Sequence, residues 1–413
     1  MNSLGNIGGE PHERARVGSQ RCALIGADTL LLECAQLLLD RGHQVVAIVA
    51  GSARVVKWSV ARGIHVLHTE DEDWVAALRY ADVDLLFAVT HLHLLSPAAI
   101  GTARRMAINF HDGPLPEYAG LNTPVWGLID GLTEWGVTWH ELTTGPEAGV
   151  DTGNILVEHR FALSPDETSL SLNTSNVEHA LDSFGQLLDL VEHGALVGVS
   201  QSTEGIRRVY RRANRPEAAG VLDWHSSATE LQRLVRALHF GPHSNSVGSA
   251  TIWHPTAPAI VVAADVVTGH GAPGTLLACT ESHVDIACGV GALRITRLTH
   301  LHGVPIDPAQ WATNAGVAVG DVLPAPMDRA VLTVAASNAQ PHETAIATTL
   351  RDLQPAEFPW PHGSPSGGAV GTIARWMTVT LGPKRAILSV ALAGAALTYG
   401  GVSLFVAIFV LAP

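Results

Sequence analysis

Apolar and polar positions in the first part of the chain come in alternating blocks. Residues 21–27 (RCALIGA) and 44–50 (QVVAIVA) are nearly continuous apolar runs, the pattern of parallel strands covered on both faces. Between them, Leu30–Leu39 is an apolar-rich helix that stops near Arg41-Gly42. Val55–Ala61, Ile64–Val66 and Trp74–Tyr80 continue the alternation of helix and strand, and Asp84–Val89 and Met106–Phe110 are two further strands. Strands alternating with helices predict an α/β fold built on a doubly wound, mostly parallel sheet. Gly136–Leu142 reads as another strand, and residues 159–200 as a strand followed by a capped helix with Leu181, Phe184, Leu187 and Leu188 at helical spacing. Residues 195–210 read as a connector.

Beyond Arg215 the pattern changes to short β-like runs separated by Gly-rich turns: Ala250–Trp253, Ala259–Val266, Gly274–Ala278, His283–Cys288 and Ala292–Arg297. That pattern predicts a small β-barrel. Residues 331–382 are rich in Ala, Thr, Pro and Gly, and 363–371 (GSPSGGAVG) has the composition of a linker. Ala386–Pro413 carries no charge and follows Lys384-Arg385, so by length and apolarity it qualifies as a membrane-spanning helix with the basic pair on the cytoplasmic side. The competing reading is the opening of a truncated further domain. The expected organisation is a disordered lead-in (1–20), an α/β domain (21–204), a β-barrel domain (205–330), a linker (331–385) and an apolar tail (386–413).

Length changes this picture little: 413 residues suggest two or three domains. The four cysteines, Cys22, Cys34, Cys279 and Cys288, form no CxxC word, which fits a reducing cytoplasm better than a disulfide or metal framework. The polar start has no apolar run of the signal-peptide kind. Charge is more informative. The net charge is −13; residues 331–413 hold three acidic and four basic residues, so residues 1–330 carry −14. Lysine occurs only at Lys57 and Lys384. Proteins that grip nucleic acid neutralise phosphates with Lys and Arg, so this balance counts against a tRNA substrate. A local basic patch at Arg207-Arg208, Arg211-Arg212 and Arg215 stays open.

The chemistry concentrates between Met106 and Val157. Asn109 and His111 end a strand and, being two apart, share a face. The chain then breaks at Asp112-Gly113-Pro114. Further on, Gly149-Val150-Asp151-Thr152-Gly153 lets the backbone turn and present Asp151 inward. An amide, an imidazole and a carboxylate are what an acyl transfer to an amine needs, although a His beside a strand end is more often structural. The imidazole takes the amine's proton, the amide N–H stabilises the oxyanion, and the carboxylate orients and favours the charged imidazole. Gly26-Ala27-Asp28 is not GxGxxG, so a dinucleotide site has no support. His91 and His93 lack a nearby third ligand, so no metal site is expected.

Four words in order, Asn109-x-His111, Leu115-Pro116-x-Tyr118-x-Gly120, Gly136-Val137-Thr138 and Asp151-Thr152-Gly153, resemble the formyl-tetrahydrofolate-dependent formyltransferases. The resemblance spans residues 20–325 and continues in RPEAAGVLDW and VGDVLP. It implies Asn109, His111 and Asp151 as catalytic residues and 10-formyltetrahydrofolate as formyl donor, with no metal. It also implies a pterin-binding loop that covers Val89, Thr90, His91, Leu92, Leu95 and Pro97. Gly120, Leu121, Asn122 and Thr123 would line the entrance for the amine. HDGPLPEYAGLN and GVTWHEL look closest to the formylation domains of nonribosomal peptide synthetases, and Glu117 departs from the basic residue usual in methionyl-tRNA formyltransferases. The expected acceptor is therefore a carrier-protein-bound aminoacyl group or a small-molecule amine in natural-product biosynthesis. Methionyl-tRNA is the alternative acceptor, and a catalytically silent binding module the alternative of another class. Trp126, Trp135 and Trp139 are expected in the core.

Overall fold

The computed structural model describes residues 18–343 except 146, 147, 203, 204, 244 and 327, together with 345, 374–380, 387–393 and 405–409. The first half runs β1 (Arg21–Gly26), α1 (Asp28–Asp40), β2 (Gln44–Val49), α2 (Ala53–Val60), β3 (His65–Leu67), α3 (Trp74–Tyr80), β4 (Leu85–Val89), α4 (Pro97–Ile100) and β5 (Met106–His111). It continues through β6 (Tyr118–Gly120), α5 (Thr123–Asp130), β7 (Glu134–Glu141), β8 (Ile155–Ala162) and α6 (Ser169–Glu192). Seven strands form one sheet in the order β3-β2-β1-β4-β5-β7-β8. The pairings from β3 to β5 are parallel, and β7 and β8 add antiparallel at the edge. Every residue of β4 is buried, as its unbroken apolar run requires of a central strand between two layers. One layer packs α1 and α6 through Leu31, Leu38, Phe184 and Leu187 onto Phe87 and Trp139; the other packs Leu78 onto Ile25, Val49 and Leu86.

The strand order reverses between β1 and β4, where an open α/β sheet usually has its ligand crevice. Here that position is shut. Gly26 lies so close to β4 that an added Cβ would sit 1.7 Å from the Val89 carbonyl oxygen, and the Thr90 hydroxyl donates to the Ala27 carbonyl. The open cleft lies one strand further along, over the carboxyl ends of β4 and β5 and the adjoining end of β7.

Residues 195–210, expected only to connect, contribute β9 (Arg208–Tyr210), which pairs in parallel with β6 and so returns the chain to the cleft. Then come α7 (Ala228–Ala237), β10 (Thr251–Ile252), β11 (Ala259–Val267), β12 (Leu276–Cys279), β13 (Val284–Ala287), β14 (Ala292–Thr299), β15 (Pro305–Ile306) and α8 (Pro308–Ala315). These six strands form a curled antiparallel sheet in the order β10-β11-β14-β13-β12, with β15 on β14. A capping box between Ser227 and Glu230 starts α7, which lies on β11 and also on α5. Val125 and Leu128 of α5 share one core with Leu231 and Val235 of α7 and Ile295 of β14.

Trp135 and Trp139 are fully buried as expected; Trp126 is half-buried and stacks on Tyr210 at 4.8 Å. All four cysteines are free, and burial pushes the Cys22 thiol up to about 12 and that of Cys288 up to about 11.

The segment expected as linker opens with a helix, α9 (Arg329–Ala339), because Asp328 caps it by accepting from the Val331 N–H and its Ala-rich body favours helix. Three later stretches, β16 (Ala374–Thr380), β17 (Ile387–Ala393) and β18 (Phe405–Phe409), pair antiparallel. Where the 386–413 tail is described it is therefore strand, not the membrane helix considered from the sequence; glycines at 394, 400 and 401 interrupt its apolar run. No helix among the described residues is long and apolar enough to cross a membrane. Residues 1–17 of the expected lead-in lie outside the described residues, as does most of the linker.

Candidate active site

The alternation at the end of β5 separates core from cleft. Ile108 and Phe110 point into the core, Phe110 against Trp139 at 5.1 Å, so Asn109 and His111 share the opposite face. The chain must then double back tightly. Gly113 permits this, since a Cβ there would meet Thr123 Oγ1 at 2.8 Å, the Tyr118 carbonyl at 2.9 Å and His111 Nε2 at 3.0 Å. The result is a short contact of 2.6 Å between His111 Nε2 and the Tyr118 carbonyl oxygen. A carbonyl can only accept, so Nε2 carries the proton and Nδ1 is the nitrogen left for chemistry. Nδ1 lies 3.6 Å from Asp151 Oδ2. The tautomer of His111 is thus set by a backbone carbonyl, and Asp151 faces the other ring nitrogen.

Asp151 arrives by a different backbone route from the one its glycines suggest. The left-handed residue is Asp151 itself, at φ +50°. Gly153 serves close approach: a Cβ there would be 1.8 Å from the Glu141 carbonyl oxygen. The turn is held from outside by Gln201 Nε2, which donates to the carbonyls of Asp151 (2.7 Å) and Gly153 (2.8 Å). The Gly120 N–H donates to Asp151 Oδ2 at 2.8 Å. Burial opposes ionisation of Asp151, but the neighbouring His111 and His140 and the Gly120 N–H outweigh it and hold the carboxyl well below the usual carboxylate range.

His140 was missed in the sequence, where it was read only as part of a strand. The register pairs Asn109 with His140, so the two side chains meet at the sheet end. His140 Nδ1 lies 2.9 Å from the Glu141 carbonyl and must donate to it. In neutral His140, Nε2 then accepts from Asn109 Nδ2 at 3.1 Å, which turns the amide nitrogen toward this corner and leaves its second N–H available. A protonated His140 can only donate, and Asp151 Oδ1 at 3.4 Å becomes its partner. The available signal was the position of His140 on the strand neighbouring β5, two residues beyond Thr138 on the same face.

These groups border a cleft of about 700 Å³. One half is walled by Thr90, His91, Leu92, Leu95 and Pro97 opposite Glu141–Thr144, and the other by Gly120, Leu121, Asn122, Tyr210 and Phe240. Two expected residues are not on its wall. Val89 is fully buried in the sheet, and Thr123 is fully buried with its hydroxyl on Asp112 Oδ1 at 3.0 Å. Arg211 and Arg212, exposed, stand on the same wall as Tyr210, and Arg212 Nη2 donates to the Leu92 carbonyl at 3.3 Å, which links the two halves. Among the described residues, six that are not glycine have positive φ, and three of them, Thr90, Asn122 and Asp151, border the cleft, where strained backbone tends to collect at functional sites. His91 and His93 meet edge-on at 5.8 Å, burial keeps His91 below its ordinary value, and no group of three metal-binding side chains occurs among the described residues.

An amide donor, an imidazole with one committed and one available nitrogen, and an ionised carboxylate are the elements of acyl transfer to a nucleophile. The sequence matches the family model for formyl transferases over residues 52–183 and that for the formyl transferase C-terminal domain over 214–316. It is 30% identical over 305 residues to a methionyl-tRNA formyltransferase of Ectopseudomonas mendocina, covering 70% of this chain and 92% of that one. The fold is shared with an N-formyltransferase from Helicobacter canadensis solved with folinic acid and dTDP-3-aminofucose (TM-score 0.53, 15% identity, 68% of this chain and 100% of that one). It is also shared with HypX from Aquifex aeolicus in complex with tetrahydrofolic acid (TM-score 0.51, 18% identity, 75% of this chain and 50% of that one). With the relative matched along nearly its whole length and both family models in order, this chain belongs to the formyltransferase family and is an enzyme of the formyl-tetrahydrofolate-dependent type.

Proposed function

We propose that the cleft transfers a formyl group from 10-formyltetrahydrofolate to a primary amine, with His111 as general base, Asp151 as its electrostatic partner and Asn109 as the oxyanion donor. The observation that carries this reading is the bond from His111 Nε2 to the Tyr118 carbonyl, which leaves Nδ1, opposite Asp151, to accept the amine's proton. The cleft volume of about 700 Å³ suits a ligand of the donor's size. The wall formed by Thr90, His91, Leu92, Leu95 and Pro97 would hold the pterin. The donor supplies an electrophilic formyl carbon. Asn109 Nδ2–H donates to the formyl oxygen as negative charge develops there, and His140 keeps the amide nitrogen turned to that task. Asp151 offsets the charge that His111 gains, and the same Nδ1 can return the proton to the departing nitrogen.

The amine enters, on this reading, past Gly120, Leu121 and Asn122, beneath Arg211 and Arg212. Two guanidiniums at that end favour an acceptor that carries phosphate, which agrees with an aminoacyl thioester on the phosphopantetheine arm of a carrier protein. The −14 charge of residues 1–330 counts against a long polyanion. Methionyl-tRNA is the second reading, favoured by the relative's activity. Four free cysteines accord with a cytoplasmic enzyme. The test offers formyl-tetrahydrofolate with aminoacyl-carrier protein, charged initiator tRNA and a nucleotide-linked amino sugar in parallel. Formylation of the carrier-bound amine supports the first reading. Product on tRNA or on the sugar alone replaces it.

A further inference from the structure

The cleft wall at Arg211 and Arg212 belongs to a tight turn. The Asn214 N–H donates to the Arg211 carbonyl at 2.9 Å, and the Arg211 N–H donates to Asn214 Oδ1. Arg215 lies beneath the turn with its side chain only 4% exposed. Its Nη1 donates to the carbonyls of Arg212 (2.8 Å) and Asn214 (3.0 Å), so the buried guanidinium fixes the turn from below. The charge is neutralised by Glu343 Oε1, 2.9 Å from Nη2.

Glu343 lies 27 residues beyond the last position matched by a family model, just after α9. That helix is itself fastened to the chain that follows Arg215. Arg329 lies 3.5 Å from both Glu217 and Asp223, and the Ala218 N–H donates to Thr333 Oγ1 at 2.7 Å. Ala218 and Ala219 sit at φ +51° and +56°, a conformation alanine adopts only under constraint. A continuous path therefore runs from α9 and Glu343 through Arg215 to the Arg211–Asn214 turn, and through Arg212 to the Leu92 carbonyl across the cleft.

We propose that residues 328–343 brace the acceptor side of the cleft, with Glu343 and Arg215 as positioning residues for the amine substrate. The brace itself stands on the geometry; its effect on the acceptor rests on the reading given under Proposed function. A buried guanidinium deprived of its carboxylate is strongly disfavoured, so the turn should loosen when the charge of Glu343 is removed.

The experiment uses the full chain with Glu343→Gln and Glu343→Asp. Hydrogen exchange is followed in peptides covering 208–216 and 106–112, with binding of 5-formyltetrahydrofolate and acceptor kinetics on aminoacyl-carrier protein. Glu343→Gln is expected to speed exchange in 208–216 and to raise the acceptor KM, each by about tenfold, while kcat, folate binding and exchange in 106–112 stay within about twofold. Glu343→Asp should restore most of the loss. Unchanged exchange in 208–216 overturns the brace. Faster exchange throughout with a lowered Tm makes the pair a general stabiliser and overturns positioning, as does faster local exchange with an unchanged acceptor KM. If the wild type formylates no amine, the reading of function fails, and the exchange data still decide the brace.

Discussion

Gly153→Ala isolates backbone position at the active site without touching a catalytic group. The added Cβ would sit 1.8 Å from the Glu141 carbonyl oxygen and 2.7 Å from its carbon, both backbone atoms of β7. Real Cβ contacts do not fall under 3.0 Å, so the two chains must separate by at least the difference, 1.2 Å. Gly153 is two residues from Asp151, and one Gln201 amide binds both carbonyls, so the movement passes to the carboxylate. A displacement of about 1 Å in a positioned group costs about 10² in rate. Overpacking itself costs about 1–3 kcal/mol, or about 1–4 °C in Tm for a protein of this size. The assay is kcat for formyl transfer beside a thermal melt, with Gly51→Ala as control, since Gly51 has no atom within 4 Å of its virtual Cβ and no positive φ. The expected result is a loss near a hundredfold for Gly153→Ala and none for Gly51→Ala. A Gly153→Ala enzyme within threefold of wild type would refute the argument that this close approach positions Asp151.

Gly113→Ala should likewise lower kcat by about 10–10², because its Cβ would wedge between the Tyr118 carbonyl and His111 Nε2; undiminished turnover would detach that bond from catalysis. Phe184→Ala removes a fully buried ring that meets Phe87 at 5.2 Å and Trp139 at 4.8 Å, and should cost about 3–5 kcal/mol by urea unfolding. Asp84 joins β1 to the 81–106 region through the Arg21 N–H and Arg104; burial opposes its ionisation, but these partners and Arg105 hold its carboxyl below the ordinary value. Its folded pKa is the lower one, so its contribution is complete above the unfolded value of about 3.9 and is lost as pH falls through the folded value. Asp84→Asn should therefore lose on the order of 1 kcal/mol at pH 7 and progressively less as pH falls from about 3.9 through the folded value. A gap that widened with acid would show the sign to be wrong.

Much of the fold was legible because buried parallel strands must be apolar along their whole length. Arg21–Gly26, Gln44–Val49 and Leu85–Val89 could serve as little else, and Leu187 and Leu188 at helical spacing marked α6. A strand end and a Gly-bounded turn placed Asn109, His111 and Asp151, the resemblance to the formyltransferases singled them out, and the structure brings the three together. What stayed hidden depends on contacts between distant segments. β9 is three residues long and exists only because β6 offers it a partner. His140 is indistinguishable from any strand histidine until the register sets it beside Asn109. Val89 ends β4 and Thr123 opens α5, each next to the right loop but fully buried, which spacing alone did not reveal. The α9 helix was obscured by an Ala-Thr-Pro-Gly composition typical of linkers, and its anchor, the buried Arg215, is visible only in three dimensions.

In the proposed mechanism His111 Nδ1 removes the acceptor's proton. Single-turnover formyl transfer from 10-formyltetrahydrofolate by wild type and His111→Ala, at saturating donor with folate binding measured in parallel, tests it most directly. His111→Ala is expected to lose roughly 10²–10⁴ in the transfer rate with donor affinity retained. Near-wild-type transfer by His111→Ala would contradict it.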